Sequence, residues 1–101
     1  MDLSQEKWSS KQKDIKDKII LDVRTPEEFK EKRIPNSILL NINSPVDFIE
    51  GLDKLDKNKA YFIYCRSGNR SSQACDVMSS MGFDKTFNLV GGIMEWNGNT
   101  E

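Results

Sequence analysis

The chain of 101 residues contains no histidine. That absence removes Ser-His and Cys-His activation of a nucleophile. It also leaves zinc with only two cysteines as strong ligands, too few for an ordinary site. No metal and no organic cofactor is therefore expected. Two cysteines, Cys65 and Cys75, are likewise too few for a disulfide scaffold. Both are read as reduced thiols, which places the protein in a cytoplasmic setting. Long apolar runs are missing too: Ala60–Tyr64 is among the longest, whereas a membrane-spanning helix needs about 20 residues. Met1–Lys18 is polar and mixed in charge, so no secretory signal is expected. The formal net charge is −1, and no membrane or nucleic acid partner is implied.

What is present fits one small domain spanning residues 1–101. Apolar residues make up 37% and charged residues 31%, a balance common in small α/β proteins. A chain of this length buries about two-thirds of its unfolded surface and needs no cross-link to fold. No repeat, low-complexity tract or linker interrupts it.

Short β-like runs alternate with helix-like segments, which predicts a small, mainly parallel sheet flanked by helices. Ser4 caps a short helix through Trp8. Ile19–Val23 is a buried strand. Thr25-Pro26-Glu27-Glu28 combines a capping box with proline at the first helical position, and that helix ends near Arg33, ahead of Pro35. Ile38–Ile42 is a second strand. Ser44-Pro45 opens a helix with Phe48, Ile49, Leu52 and Leu55 at helical spacing. Tyr61–Cys65 is the clearest strand. A helix over 71–81 follows, with Ala74, Val77, Met78 and Met81 on one face and Gly82 as its stop. Thr86–Val90 is the last strand, and Gly91-Gly92 turns the chain into a short helix carrying Trp96.

The chemistry concentrates in Cys65-Arg66-Ser67-Gly68-Asn69-Arg70-Ser71, between the clearest strand and the following helix. Ligands of open α/β sheets bind outside the carboxyl ends of the strands. Gly68 permits backbone angles closed to other residues, and Asn69 tolerates the left-handed region. Successive N–H groups in such a turn converge into a nest for an anion, to which the helix N-terminus adds its dipole. Arg66 and Arg70 add charge. Between Asp56 and Asp76 stand four cations (Lys57, Lys59, Arg66, Arg70) and no acidic residue. A cysteine at the focus of this field is expected to ionise below its ordinary range of about 8.5 without help from histidine. The alternative is a buried packing thiol, which is the common fate of a free cysteine.

The loop Cys65–Ser71 resembles the active-site loop of the rhodanese family. Leu21-Asp22-Val23-Arg24-Thr25-Pro26-Glu27-Glu28-Phe29 is similar to that family's first strand and helix. Asn88-Leu89-Val90-Gly91-Gly92-Ile93-Met94-Glu95-Trp96 is similar to its closing segment. The three stretches follow in family order. The resemblance implies a rhodanese-like fold and a sulfurtransferase. In that activity the Cys65 thiolate takes the sulfane sulfur of a small anionic donor such as thiosulfate. It then passes that sulfur from a persulfide to a thiol or cyanide acceptor, or to a sulfur-relay protein. Backbone N–H groups from Arg66 to Ser71 would cradle the persulfide, and Arg66 and Arg70 would bind the donor and stabilise the leaving group. One stretch departs: where the family often reads Gly-His-Ile-Pro-Gly-Ala, this chain has Lys32-Arg33-Ile34-Pro35-Asn36-Ser37.

Other residues have quieter readings. Asp22 and Arg24 are expected to brace a loop beside the site. Cys75 is expected to pack in the core, although ten positions after Cys65 it could resolve a persulfide into a disulfide. Trp96 and Gly91-Gly92 are read as core and turn. A phosphatase or arsenate reductase on a related fold is a competing function. Its loop resembles Cys, five residues, then Arg; here four residues separate Cys65 from Arg70, a ring better sized for one sulfur atom. A non-catalytic rhodanese-type interaction module is the other alternative.

Overall fold

In the computed structural model, which describes all 101 residues, the elements run β1 (Asp2–Leu3), α1 (Gln5–Asp14), β2 (Lys18–Asp22), α2 (Pro26–Glu31), β3 (Ser37–Leu39), α3 (Pro45–Asp53), β4 (Ala60–Tyr64), α4 (Asn69–Ser80) and β5 (Lys85–Leu89), followed by a 3-10 turn at Ile93–Glu95. All five strands are parallel, in the order β1-β5-β4-β2-β3. Helices cover both faces, as a parallel sheet requires.

The central strand explains this layering. All five residues of β4 are buried, because alternate side chains enter two different cores. Tyr61, Ile63 and Cys65 pack with Phe48 and Leu52 of α3 and with Ala74, Cys75 and Met78 of α4. Ala60, Phe62 and Tyr64 face the other way, toward Trp8 of α1, Phe87, Leu89 and Ile93. Trp8 is fully buried. Its ring meets Phe62, Tyr64 and Trp96 edge-on, and its indole N–H donates to the Phe87 carbonyl at 3.1 Å.

The predicted elements are present with shifted ends. The first helix runs past Trp8 to Asp14; most of its surface is polar, so periodicity could not show its length. Its Ser4 cap is as expected, with the hydroxyl accepting from the Lys7 N–H. Around Thr25 the capping box forms in full, but α2 ends at Glu31, before Arg33. The second strand is only Ser37–Leu39. At α3 the Ser44 hydroxyl makes no cap bond, and Ile49 is 40% exposed rather than packed. Strand β1 was not expected; at two residues it carries no periodic signal, yet it pairs Asp2 with Asn88 and Leu3 with Leu89.

The departure at Lys32–Ser37 resolves locally. Asn36 stands where the rhodanese pattern carries glycine and takes the left-handed conformation that glycine favours, with φ 68°. The Tyr64 hydroxyl accepts from the Ile34 N–H and donates to the Ser37 Oγ, tying this turn to β4.

From β2 the chain steps outward to β3, and from β4 it steps the other way to β5. The carboxyl ends of β2 and β4 therefore flank the switch point of the sheet, where a crevice opens. Asp22–Thr25 and Cys65–Gly68 both lie there.

Candidate active site

Cys65 follows the last residue of β4 and is fully buried. The turn after it closes on its sulfur: the Gly68 N–H donates to Sγ at 3.1 Å, and the Ser71 Oγ lies 3.3 Å from it. Gly68 has φ 106°, the left-handed turn that brings its N–H back onto the thiol. Asn69, which tolerates that conformation, does not take it; it is already the first residue of α4, so the helix starts two positions before the expected Ser71.

Burial pushes the Cys65 thiol up. Hydrogen bonds from the Ser71 hydroxyl and from the N–H groups of Ser71, Gly68 and Ser67 outweigh that effect, and the thiol ionises below its ordinary range. The expected acidification is present, produced by backbone and hydroxyl donors. Cys75 is the opposite case. It is buried in the core between α4 and the sheet, and burial pushes its thiol up to about 11. Both cysteines are free thiols.

Arg70 does not stand as an unpaired cation. Its guanidinium donates to both carboxylate oxygens of Glu28, at 2.8 and 3.0 Å. Glu28 lies 42 positions earlier in α2, so the view of the loop as free of acidic neighbours held only along the chain. Pairing with Arg70 works against burial, and with help from the Thr25 N–H and hydroxyl it pulls the Glu28 carboxyl down to about 2. One carboxylate thus closes the capping box of α2 and holds Arg70 in place.

Arg66 is exposed. It borders an open cavity of about 380 Å³ with Arg24, Glu28, Glu31, Lys32, Ile93 and Met94. Ser67 and Asn69 are exposed on the loop's outer side, and Ser71 is fully buried beneath it. Asp22 and Arg24 have the bracing geometry expected of them. The Arg24 guanidinium donates to both Asp22 oxygens and, at 2.6 Å, to the Lys32 carbonyl, and its backbone N–H donates to Asp22 at 3.0 Å. Asp22 is fully buried.

Three neighbours of the loop were not singled out from sequence. Gly92, read as a turn residue, allows the closing segment to lie against the loop. A Cβ there would fall 2.3 Å from the Arg66 oxygen and 2.6 Å from the Cys65 oxygen. The close approach lets the Ile93 and Met94 N–H groups donate to those two carbonyls, each at 3.0 Å. Asn88 is buried in β5, where it bonds the Ser71 hydroxyl, the Gly68 carbonyl and Asp2. Its signal was a polar residue inside an apolar strand. Glu28 was seen as a cap but not as the partner of Arg70, since nothing local marks a contact 42 residues away.

A thiol of lowered pKa, ringed by donors and bordered by cations, is equipped to attack an electrophilic centre on a small anion and then hold a negative charge. Comparisons with known proteins give the family. The family model described as Rhodanese-like domain matches residues 4–99. A sulfurtransferase of Allochromatium vinosum is 34% identical over 95 residues, covering 94% of this chain and 86% of that protein. A thiosulfate sulfurtransferase of Coxiella burnetii is 29% identical over 81 residues, covering 80% of this chain and 73% of that one. Among solved structures, a rhodanese-like domain protein from Staphylococcus aureus superposes with a TM-score of 0.81 at 28% identity, covering 97% of this chain and 92% of that one.

Proposed function

Because this chain belongs to the rhodanese-like domain family, whose similar members include sulfurtransferases, we propose that it moves sulfane sulfur from a small anionic donor to a thiophilic acceptor through a persulfide on Cys65. The observation that carries this reading is the closure of the loop on Sγ itself, with the Gly68 N–H at 3.1 Å and the Ser71 hydroxyl at 3.3 Å.

With thiosulfate as donor, the Cys65 thiolate attacks the outer sulfur. The Sγ–S bond forms and the donor's S–S bond breaks, with its electron pair leaving on sulfite. Charge is conserved: one thiolate and one dianion become one persulfide anion and one dianion. Backbone N–H groups from Arg66 to Ser71 receive the persulfide charge. Arg66, exposed at the cavity, draws in the donor and stabilises the departing sulfite. Arg70 acts differently from Arg66: held by Glu28, it supplies field to the loop more than direct contact. An acceptor thiolate or cyanide then attacks the terminal sulfur and restores the Cys65 thiolate. A reducing compartment such as the cytoplasm suits a free thiol of this kind.

The engaged Arg70 also disfavours the phosphatase-like alternative, which needs that guanidinium turned onto a tetrahedral oxyanion. The lowered thiol pKa favours catalysis over a purely binding module. The test is steady-state transfer from thiosulfate to cyanide, followed as thiocyanate, with a phosphate ester as comparison. Turnover that vanishes in Cys65→Ser, with no phosphatase activity, is expected. Phosphate-ester turnover without thiocyanate formation would overturn the proposal.

A further inference from the structure

The Ser71 hydroxyl has one proton and two acceptors. Its oxygen lies 3.3 Å from the Cys65 Sγ and in a short contact with the Asn88 Oδ1. The orientation of the Asn88 amide is fixed independently. Its Nδ2 donates to the Asp2 carboxylate at 3.0 Å and to the Gly68 carbonyl at 3.3 Å. Both partners are acceptors, so the nitrogen must face them and the oxygen must face Ser71. Strand β1 makes this possible, since its register sets Asp2 beside Asn88 on β5.

We infer that Asn88 is a positioning residue that decides where the Ser71 proton lies: Ser71 donates to Asn88 whenever Sγ carries a proton or a sulfur, and turns to Sγ only in the thiolate. In the thiol form the chain runs from the Cys65 S–H to the Ser71 Oγ and from the Ser71 O–H to the Asn88 Oδ1. In the thiolate Ser71 reverses its donation, and the buried Oδ1 loses its donor. Once sulfur is bound, Sγ is neutral again, the charge sits on the terminal sulfur, and the Ser71 proton returns to Asn88. The Cys65 proton passes to solvent when the thiolate forms, and sulfur arrives with sulfite as the leaving group; at Ser71 itself only the O–H bond rotates. Leaving a buried acceptor unmatched is costly, so Asn88 disfavours the empty thiolate relative to the thiol and the persulfide. It keeps the nucleophile reactive and biases the site toward its loaded form. The persulfide half of this statement rests on the proposed function; the thiol–thiolate half does not.

Several charged groups face the site. Arg70 approaches Cys65 from α4 and is paired with Glu28 of α2. Asp22 sits at the end of β2, paired with Arg24. Arg66 lies in the loop itself, and Asp2 on β1 is one hydrogen bond beyond Asn88. None of these contacts is altered by an apolar side chain at position 88 except that with Asp2.

The test is the pH dependence of iodoacetamide alkylation at Cys65, followed by peptide mass, in wild type, Asn88→Leu, Ser71→Ala and the double variant. In Asn88→Leu the freed hydroxyl donates permanently to the thiolate. The midpoint then falls, giving an about tenfold larger thiolate fraction at a pH below it, the worth of one hydrogen bond. The high-pH plateau drops about threefold, because nucleophilicity falls with basicity. With Ser71→Ala as background, Asn88→Leu moves neither quantity. If Asn88 merely braced the loop through Gly68, its loss would raise the midpoint. An unchanged or raised midpoint, or equal shifts in both backgrounds, overturns the inference. Should Asn88→Leu fail to fold by circular dichroism, Asp2→Ala at the exposed chain end replaces it. It releases one anchor of the amide, and the midpoint is expected to fall further with Ser71 present than without it. Equal falls would report only the lost charge and overturn the inference. Alkylation needs no sulfur donor, so failure here is separate from failure to load sulfur from thiosulfate.

Discussion

Replacing Glu28 by Gln tests the joint between α2 and the active-site loop. The amide keeps an oxygen for the Thr25 N–H, so the cap is largely preserved, while the charge that holds Arg70 is lost. A carboxyl lowered from 4.5 to about 2 corresponds to about 3 kcal/mol of preference for its charged form. The pair is about a quarter exposed, with Arg70 at 26% and Glu28 at 28%. Solvent screening therefore brings the expected loss to about 1–2 kcal/mol. The sign follows from linkage: a depressed carboxyl stabilises the fold fully above its unfolded value and loses that contribution as pH falls through its folded value. Urea unfolding should show Glu28→Gln less stable by about 1–2 kcal/mol at pH 7. The gap should narrow below pH 4.5 and close near pH 2, where the wild-type carboxyl takes up its proton. A gap that persists unchanged to pH 2, or none at pH 7, would refute the assignment of this pair as the joint.

Other consequences are sharp enough to measure. Gly92→Ala places a methyl 2.3 Å from the Arg66 oxygen at φ 60°. It should cost about 2–3 kcal/mol in urea unfolding and abolish sulfur loading. Gly82→Ala, with φ 99° but only the Lys57 Cδ at 3.7 Å, should cost about 1 kcal/mol and leave loading intact. Arg66→Ala should leave unfolding unchanged and lower kcat/KM for thiosulfate about tenfold, through a higher KM and a lower kcat together, as expected for loss of a charge-assisted contact to the donor and the leaving sulfite; an unchanged kcat/KM would place Arg66 outside the reaction. With its thiol pushed up to about 11, Cys75 should resist iodoacetamide in the native protein at pH 8 while Cys65 reacts. Cys75→Ala should accept and hold as much sulfur as wild type, whereas a Cys65–Cys75 disulfide forming in loaded wild type, with the sulfur retained longer in the variant, would restore Cys75 as a resolving thiol.

Much of this molecule was legible before its structure, for local reasons. The alternation of strands and helices, the Thr25 capping box and the loop after Cys65 are written in consecutive residues. The thiol's lowered pKa could be anticipated because its donors lie within six positions of it. What escaped depends on long-range contacts. Arg70 looked like a free cation because Glu28 is remote along the chain, and Gly92 looked like a turn because the carbonyls it approaches belong to another segment. Strand β1 is too short for any periodic pattern, and with it the Asp2–Asn88 contact was hidden. Of the two residues in the loop that tolerate the left-handed region, Gly68 takes it and Asn69 does not. The Asp22–Arg24 pairing was legible because it spans two residues.

The central claim is that Cys65 carries sulfur covalently. Reduced protein incubated with thiosulfate and measured by intact mass, for wild type and Cys65→Ser, tests it most directly. The account predicts a gain of one sulfur atom in wild type, absent in Cys65→Ser and reversed by cyanide. A folded wild type that gains no sulfur, or a Cys65→Ser variant that gains it equally, would contradict it.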